Sequence, residues 1–84
     1  MIEIYTKKNC GACLEAKRLL DEAGYLYLQY TLDEQITKEQ LMAKFPDAKT
    51  VPIIVINGNK IGGLSDLKMM LENNENIDKT LLTE

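Results

Sequence analysis

Alternation comes first: among residues 1–6, Ile2 and Ile4 share one side of an extended chain, which predicts a short strand. A polar loop, Lys7-Lys8-Asn9, follows. From Gly11 to about Ala23 the period becomes helical, with Ala12, Ala16, Leu19, Leu20 and Ala23 on one face and Glu15, Lys17, Arg18 and Asp21 facing water. Gly24 suits the end of that helix. Residues 25–32, Tyr-Leu-Tyr-Leu-Gln-Tyr-Thr-Leu, read as an aromatic, mostly apolar second strand.

Thr37, with Gln40 three residues later, has the form of a capping box opening a second helix. Its buried stripe is expected to be Leu41, Met42 and Phe45, and Pro46 ends it. Residues 52–56, Pro-Ile-Ile-Val-Ile, are apolar without alternation, as a strand covered on both faces would be. Asn57-Gly58 is a hairpin signal that returns the chain through Asn59-Lys60-Ile61. Beyond Gly62-Gly63 a third helix starts near Ser65 and carries Leu67, Met70 and Leu71. Residues 73–76 read as a loop and 77–82 as a short final helix. The order is β-α-β-α-β-β-α. A helix between the first two strands favours a parallel pair and the hairpin adds an antiparallel one, so an α/β fold with a mixed four-stranded sheet flanked by helices is expected. With neither repeat nor internal linker, residues 1–84 are read as a single domain.

Charge narrows the function. Ten Lys and Arg against 13 Asp and Glu leave a net charge of −3. Phosphate affinity needs clustered cations, so nucleic-acid binding is not expected, and Lys7-Lys8 is too small a cluster to supply it. No apolar run approaches the roughly 20 residues that span a bilayer. The chain opens on a strand with no basic segment or cleavage site before it, so a cytoplasmic protein is expected.

The chain has two cysteines and no histidine, which removes imidazole acid–base catalysis and histidine metal sites. The cysteines stand as Cys10-Gly11-Ala12-Cys13. A bridge across so tiny a loop constrains the unfolded chain little, so redox exchange or metal ligation is the better reading. Zinc takes about four ligands and no others of the usual kind are present, which leaves only zinc shared between protomers. Position favours exchange. Cys10 falls between a strand and the start of a helix, where unpaired N–H groups and the positive end of the helix dipole stabilise a thiolate, with Lys7 and Lys8 nearby. Cys10 is then the attacking sulfur. Cys13, one turn inside the helix, is placed to resolve a mixed disulfide formed at Cys10.

Three stretches together resemble the glutaredoxin family, within the thioredoxin-like fold: Tyr5-Thr6-Lys7-Lys8-Asn9-Cys10-Gly11-Ala12-Cys13, Lys49-Thr50-Val51-Pro52, and Ile61-Gly62-Gly63-Leu64-Ser65-Asp66-Leu67. Among its members the chain looks most like the small dithiol glutaredoxins of bacteria and bacteriophages. The resemblance implies a cis Pro52 facing Cys10, with Thr50-Val51 presenting a backbone edge to the cysteinyl part of a substrate. It implies that Gly62, Gly63, Ser65 and Asp66 hold the γ-glutamyl end of glutathione, with Asp66 taking the ammonium group. Lys7, and with less claim Lys49, would meet the glycine end. No tightly bound cofactor is implied; glutathione is an electron-donating co-substrate of a monomer that reduces protein disulfides, including that of a ribonucleotide reductase. Gly11 and Ala12 stand where many members have Pro and Tyr. Two alternatives follow: a thioredoxin-like donor reduced by thioredoxin reductase, and a dimer holding a [2Fe–2S] cluster through Cys10 and two glutathiones, for which Gly11 leaves space.

Overall fold

A computed structural model describes residues 1–73. Strand β1 (Ile2–Thr6) leads into helix α1 (Gly11–Glu22), then β2 (Leu28–Thr31), α2 (Lys38–Lys44), β3 (Ile53–Ile56), β4 (Asn59–Gly62) and α3 (Leu64–Asn73). The sheet runs β2-β1-β3-β4. β1 pairs parallel with β2 and antiparallel with β3, and β3 pairs antiparallel with β4. This is the mixed four-stranded sheet read from the order of elements. No helix among the described residues is long and apolar enough to cross a membrane.

Period-2 geometry divides the core in two. Ile2 and Ile4 of β1 and Ile54 of β3 pack with Ala16 and Leu20 of α1 and Leu67 of α3. On the opposite face, Tyr5, Ile53 and Val55 meet Ile36 and Leu41, with Phe45 at the margin. The unbroken apolar run of β3 is thus explained: Ile54 serves one layer while Ile53 and Val55 serve the other. Tyr5 stacks on Tyr30 and meets the edge of Phe45. Burial, then Glu3, then Tyr30, pushes its phenol above the ordinary value.

The capping box forms as the sequence predicts: Thr37 Oγ1 accepts from the Gln40 N–H at 3.1 Å, and Gln40 Oε1 accepts from the Thr37 N–H at 2.9 Å. The hairpin turn also forms, with φ +51 at Asn57 and +84 at Gly58, the positive pair that a tight two-residue turn requires.

Several expectations need correction. The second strand covers Leu28–Thr31 rather than 25–32. Helix α1 ends in a Schellman motif, in which the Tyr25 N–H bonds the Leu20 carbonyl and the Gly24 N–H bonds that of Asp21. Tyr25 is therefore committed to terminating the helix, and Leu26 is left exposed. In α1 the buried stripe is Cys13, Ala16 and Leu20, while Ala12 faces solvent. In α2 Met42 is exposed, because seven residues lean on the sheet chiefly through Leu41 and Phe45. The apolar strand begins at Ile53, after the proline. Helix α3 begins at Leu64 and runs through Asn73, where a loop was expected. The rest of that loop and the final helix at 77–82 lie outside the described residues.

Candidate active site

Register gathers the candidate residues at one end of the sheet. Thr6 ends β1 beside Thr31, which ends the parallel β2. Tyr5 lies opposite Ile53 near the start of β3, and Ile54 lies opposite Gly62 at the end of β4. The segments 7–13, 50–52 and 62–66 therefore all leave or enter this end, where α1 and α3 also begin.

The loop after β1 sets Cys10. Asn9 takes φ +56, a left-handed conformation that Asn tolerates better than most residues. Cys10 then returns to extended backbone, φ −121 and ψ 104, as the N-cap of α1. Its Sγ accepts the Cys13 N–H at 3.1 Å, the place a Ser or Asp oxygen would take in an ordinary cap. The two sulfurs are joined in a disulfide. Cys10 is 8% exposed and Cys13 1%, so the N-cap sulfur is the outer of the two.

A cavity of about 320 Å³ opens on this pair. Lys7, Lys8 and Lys17 line it together with Thr31 and Gln29 of β2. Lys8 pairs with Glu34, another lining residue, at 3.4 Å. The Thr6 and Thr31 hydroxyls are 3.4 Å apart, and Gln29 Nε2 donates to Thr31 Oγ1 at 3.1 Å. Gln29 and Thr31 were not among the residues singled out from sequence, and Lys17, expected to face water, is half-buried at this cavity. Lys17 stands four residues after Cys13, a helical spacing that was legible; the β2 residues enter only through parallel pairing. Across the outer side of α1, Arg18 bonds both Glu15 and Glu22 and holds the Glu15 carboxyl below its ordinary value.

The second group of candidates sits at β4 and α3. The Val51–Pro52 bond is cis, as the resemblance implied. A Cβ on Gly63 would come within 3.4 Å of the Pro52 carbonyl oxygen, so these two backbones lie against each other. Gly62 holds φ +135, and a Cβ there would collide with Asp66 Oδ2. That oxygen accepts the Gly63 N–H at 3.1 Å. The Gly63 N–H is thus occupied rather than free for a ligand, and Ser65 and Asp66 offer the open first-turn N–H groups of α3. Thr50 and Lys49 are exposed and Val51 is half-buried against the α2 layer. These residues do not line the cavity at the sulfurs.

Gly62→Ala tests this geometry. Positive φ on a residue with a Cβ costs about 1–3 kcal/mol, and displacing the Asp66 carboxylate adds the loss of a cap, about 1 kcal/mol. Urea unfolding should show the summed loss, and in an Asp66→Ala background only the φ part should remain.

A family model described as Glutaredoxin matches residues 2–61. The chain belongs to the glutaredoxin family. It is 39% identical over 66 residues to Glutaredoxin 3 of Escherichia coli strain K12, covering 79% of this chain and 80% of that one. Glutaredoxin 1 of Rickettsia typhi is 36% identical over 85 residues, covering 99% of this chain and 81% of the relative. Among solved structures, holo glutaredoxin C1 from Populus tremula x tremuloides superposes with a TM-score of 0.78 at 31% identity, over 92% of this chain and 72% of that one. A buckwheat glutaredoxin solved in complex with glutathione gives 0.77 at 25% identity, over 92% and 73%. The fold is thioredoxin-like, and with its Cys10–Cys13 pair this glutaredoxin is a thiol–disulfide oxidoreductase.

Proposed function

We propose that this glutaredoxin reduces protein disulfides and glutathione mixed disulfides, with Cys10 as nucleophile, Cys13 as resolving thiol and glutathione as electron donor. The observation that carries the reading is the Cys10 sulfur at the N-cap of α1, accepting the Cys13 N–H. In the reduced protein that N–H and the helix dipole favour the thiolate, the form that attacks. The Cys10 thiolate attacks one substrate sulfur, the substrate S–S bond breaks, and a thiolate departs. Cys13 then attacks the mixed disulfide, closes the Cys10–Cys13 bond and releases the second thiol. Two glutathiones return the pair to dithiol and leave as glutathione disulfide.

Glutathione binding is supported by the second group of residues. The first-turn N–H groups of Ser65 and Asp66 suit the γ-glutamyl carboxylate, and the exposed Asp66 carboxylate suits the ammonium. Gly62 and Gly63 keep that wall low. Thr50, Val51 and the cis Pro52 supply the edge for the cysteinyl backbone, and Lys7 supplies a cation for the glycine carboxylate. No tightly bound cofactor is needed. The protein acts as a cytoplasmic monomer, and disulfide-bearing proteins such as a ribonucleotide reductase are its macromolecular substrates.

The test is reduction of a small glutathione mixed disulfide, coupled to glutathione reductase and NADPH. Turnover supports the reading. Its absence, together with insulin reduction under thioredoxin reductase, assigns the electrons to a different donor and overturns the glutathione part.

A further inference from the structure

We infer that Lys17 is the positioning residue of the resolving step, its ammonium holding the Cys13 sulfur as thiolate for attack on the Cys10 mixed disulfide. The inference rests on the dithiol mechanism just proposed. Cys13 is 1% exposed, so as a free thiol it must ionise without a shell of water. Burial disfavours a thiolate, and the N–H that caps the helix points at Cys10 instead. Something else must offset that penalty.

Lys17 meets the geometric requirement. It lies four residues beyond Cys13 on α1 and lines the same cavity. Helical side chains tilt toward the N-terminus, so a residue at i+4 covers the turn that carries residue i. Its charge is also uncommitted. Lys8 is paired with Glu34, and the neighbouring Arg18 takes both Glu15 and Glu22. Lys17 is half-buried and has no ion-pair partner among the described residues.

The other charges around Cys13 do not replace it. Lys7 is exposed in the loop before Cys10, and among the described residues Glu34 is the only acid lining the cavity, already facing Lys8. β2 contributes only the neutral Gln29 and Thr31. On α3, Asp66 is bonded to Gly63, Lys68 acts on Glu15 on another part of α1, and Glu72 does not line the cavity.

The reduced protein is mixed with 2,2′-dithiodipyridine, a neutral disulfide with no carboxylate for a lysine to bind. Cys10 attacks first, forming the Cys10–pyridyl disulfide and releasing one thiopyridone. Cys13 then closes the Cys10–Cys13 bond and releases the second. The two cysteines are oxidised, the reagent is reduced to two thiopyridones, and their protons come from the two thiols. Absorbance resolves the phases, the first reading Cys10 and the second Cys13.

In Lys17→Gln the midpoint of the second phase on the pH axis should rise by about one unit, a tenfold loss of thiolate below it. A more basic thiolate is intrinsically about threefold more reactive, so the net slowing near neutrality is about three- to fourfold. Above both midpoints the variant becomes the faster of the two. Lys17→Arg should restore the original profile. This crossing of the curves, with rescue by Arg, separates charge from mere packing. An unchanged second phase, or a first-phase midpoint that moves as far as the second, overturns the inference. If the unaltered protein shows no second phase at all, the dithiol mechanism itself fails, and the inference with it.

Discussion

Replacing Cys10 by Ser should reduce glutathione-dependent turnover to the assay background, a loss of at least about three orders of magnitude. The reason lies in what the N-cap of α1 does. It supplies a directed N–H, from Cys13 at 3.1 Å, together with the positive end of the helix. These effects favour the thiolate over the thiol, which ordinarily titrates near about 8.5. A hydroxyl starts too far from ionisation for the same groups to make it a comparable nucleophile. Serine is also a preferred N-cap, so the helix should keep its start and the urea midpoint should hardly change. A large loss of activity with stability retained would therefore assign the effect to chemistry. Residual exchange above background would mean that Cys13 can initiate attack, against its burial at 1% exposure.

The contrast between Cys10 and Cys13 was legible before any coordinates because it follows from local rules. A strand, a polar loop and a helical period fix which cysteine stands at the cap and which stands one turn inside. The same holds for the Thr37–Gln40 box and the Asn57-Gly58 turn, whose partners lie within three residues of one another. What the sequence hid was set by pairing at a distance. Leu26 and Leu28 look like core residues in a run of alternating tyrosines and leucines, yet both are exposed. The chain there must first finish the Schellman turn at Tyr25 and can pair only with the short β1. Gln29 and Thr31 line the cavity beside the sulfurs for the same reason, through a parallel register that no local pattern announces.

The candidate glutathione wall shows a second kind of gap. Gly62, Gly63 and Asp66 were readable as a set, but not the bond that ties the Asp66 carboxylate back to the Gly63 N–H. A residue three positions into a helix that caps its own start is an ordinary economy of the fold. Here it means that one Asp66 oxygen stabilises α3, which leaves the other for the ammonium group proposed to bind there. Substituting Asp66 would therefore mix a stability effect with a binding effect, which makes it a poor first test of the site.

Cys13→Ser is the sharper test of the division of labour. Reduction of a protein disulfide needs a second thiol to expel the substrate from Cys10. In the unaltered chain that thiol stands three residues away and can form the Cys10–Cys13 bond. Holding the attacking group in place is equivalent to a very high local concentration, so resolution by millimolar external thiol should be slower by at least about a hundredfold. Insulin reduction should fall accordingly. A glutathione mixed disulfide is different. Its substrate thiol leaves in the first step, and the adduct on Cys10 is glutathione, which a second glutathione resolves without Cys13. Deglutathionylation should therefore persist in Cys13→Ser while protein-disulfide reduction is lost. Mass spectrometry of the stalled variant should find insulin or glutathione bound at Cys10. Loss of both activities in Cys13→Ser, with either spared in Cys10→Ser, would reverse the roles of the two sulfurs and contradict the order of burial, in which the attacking sulfur is the outer one.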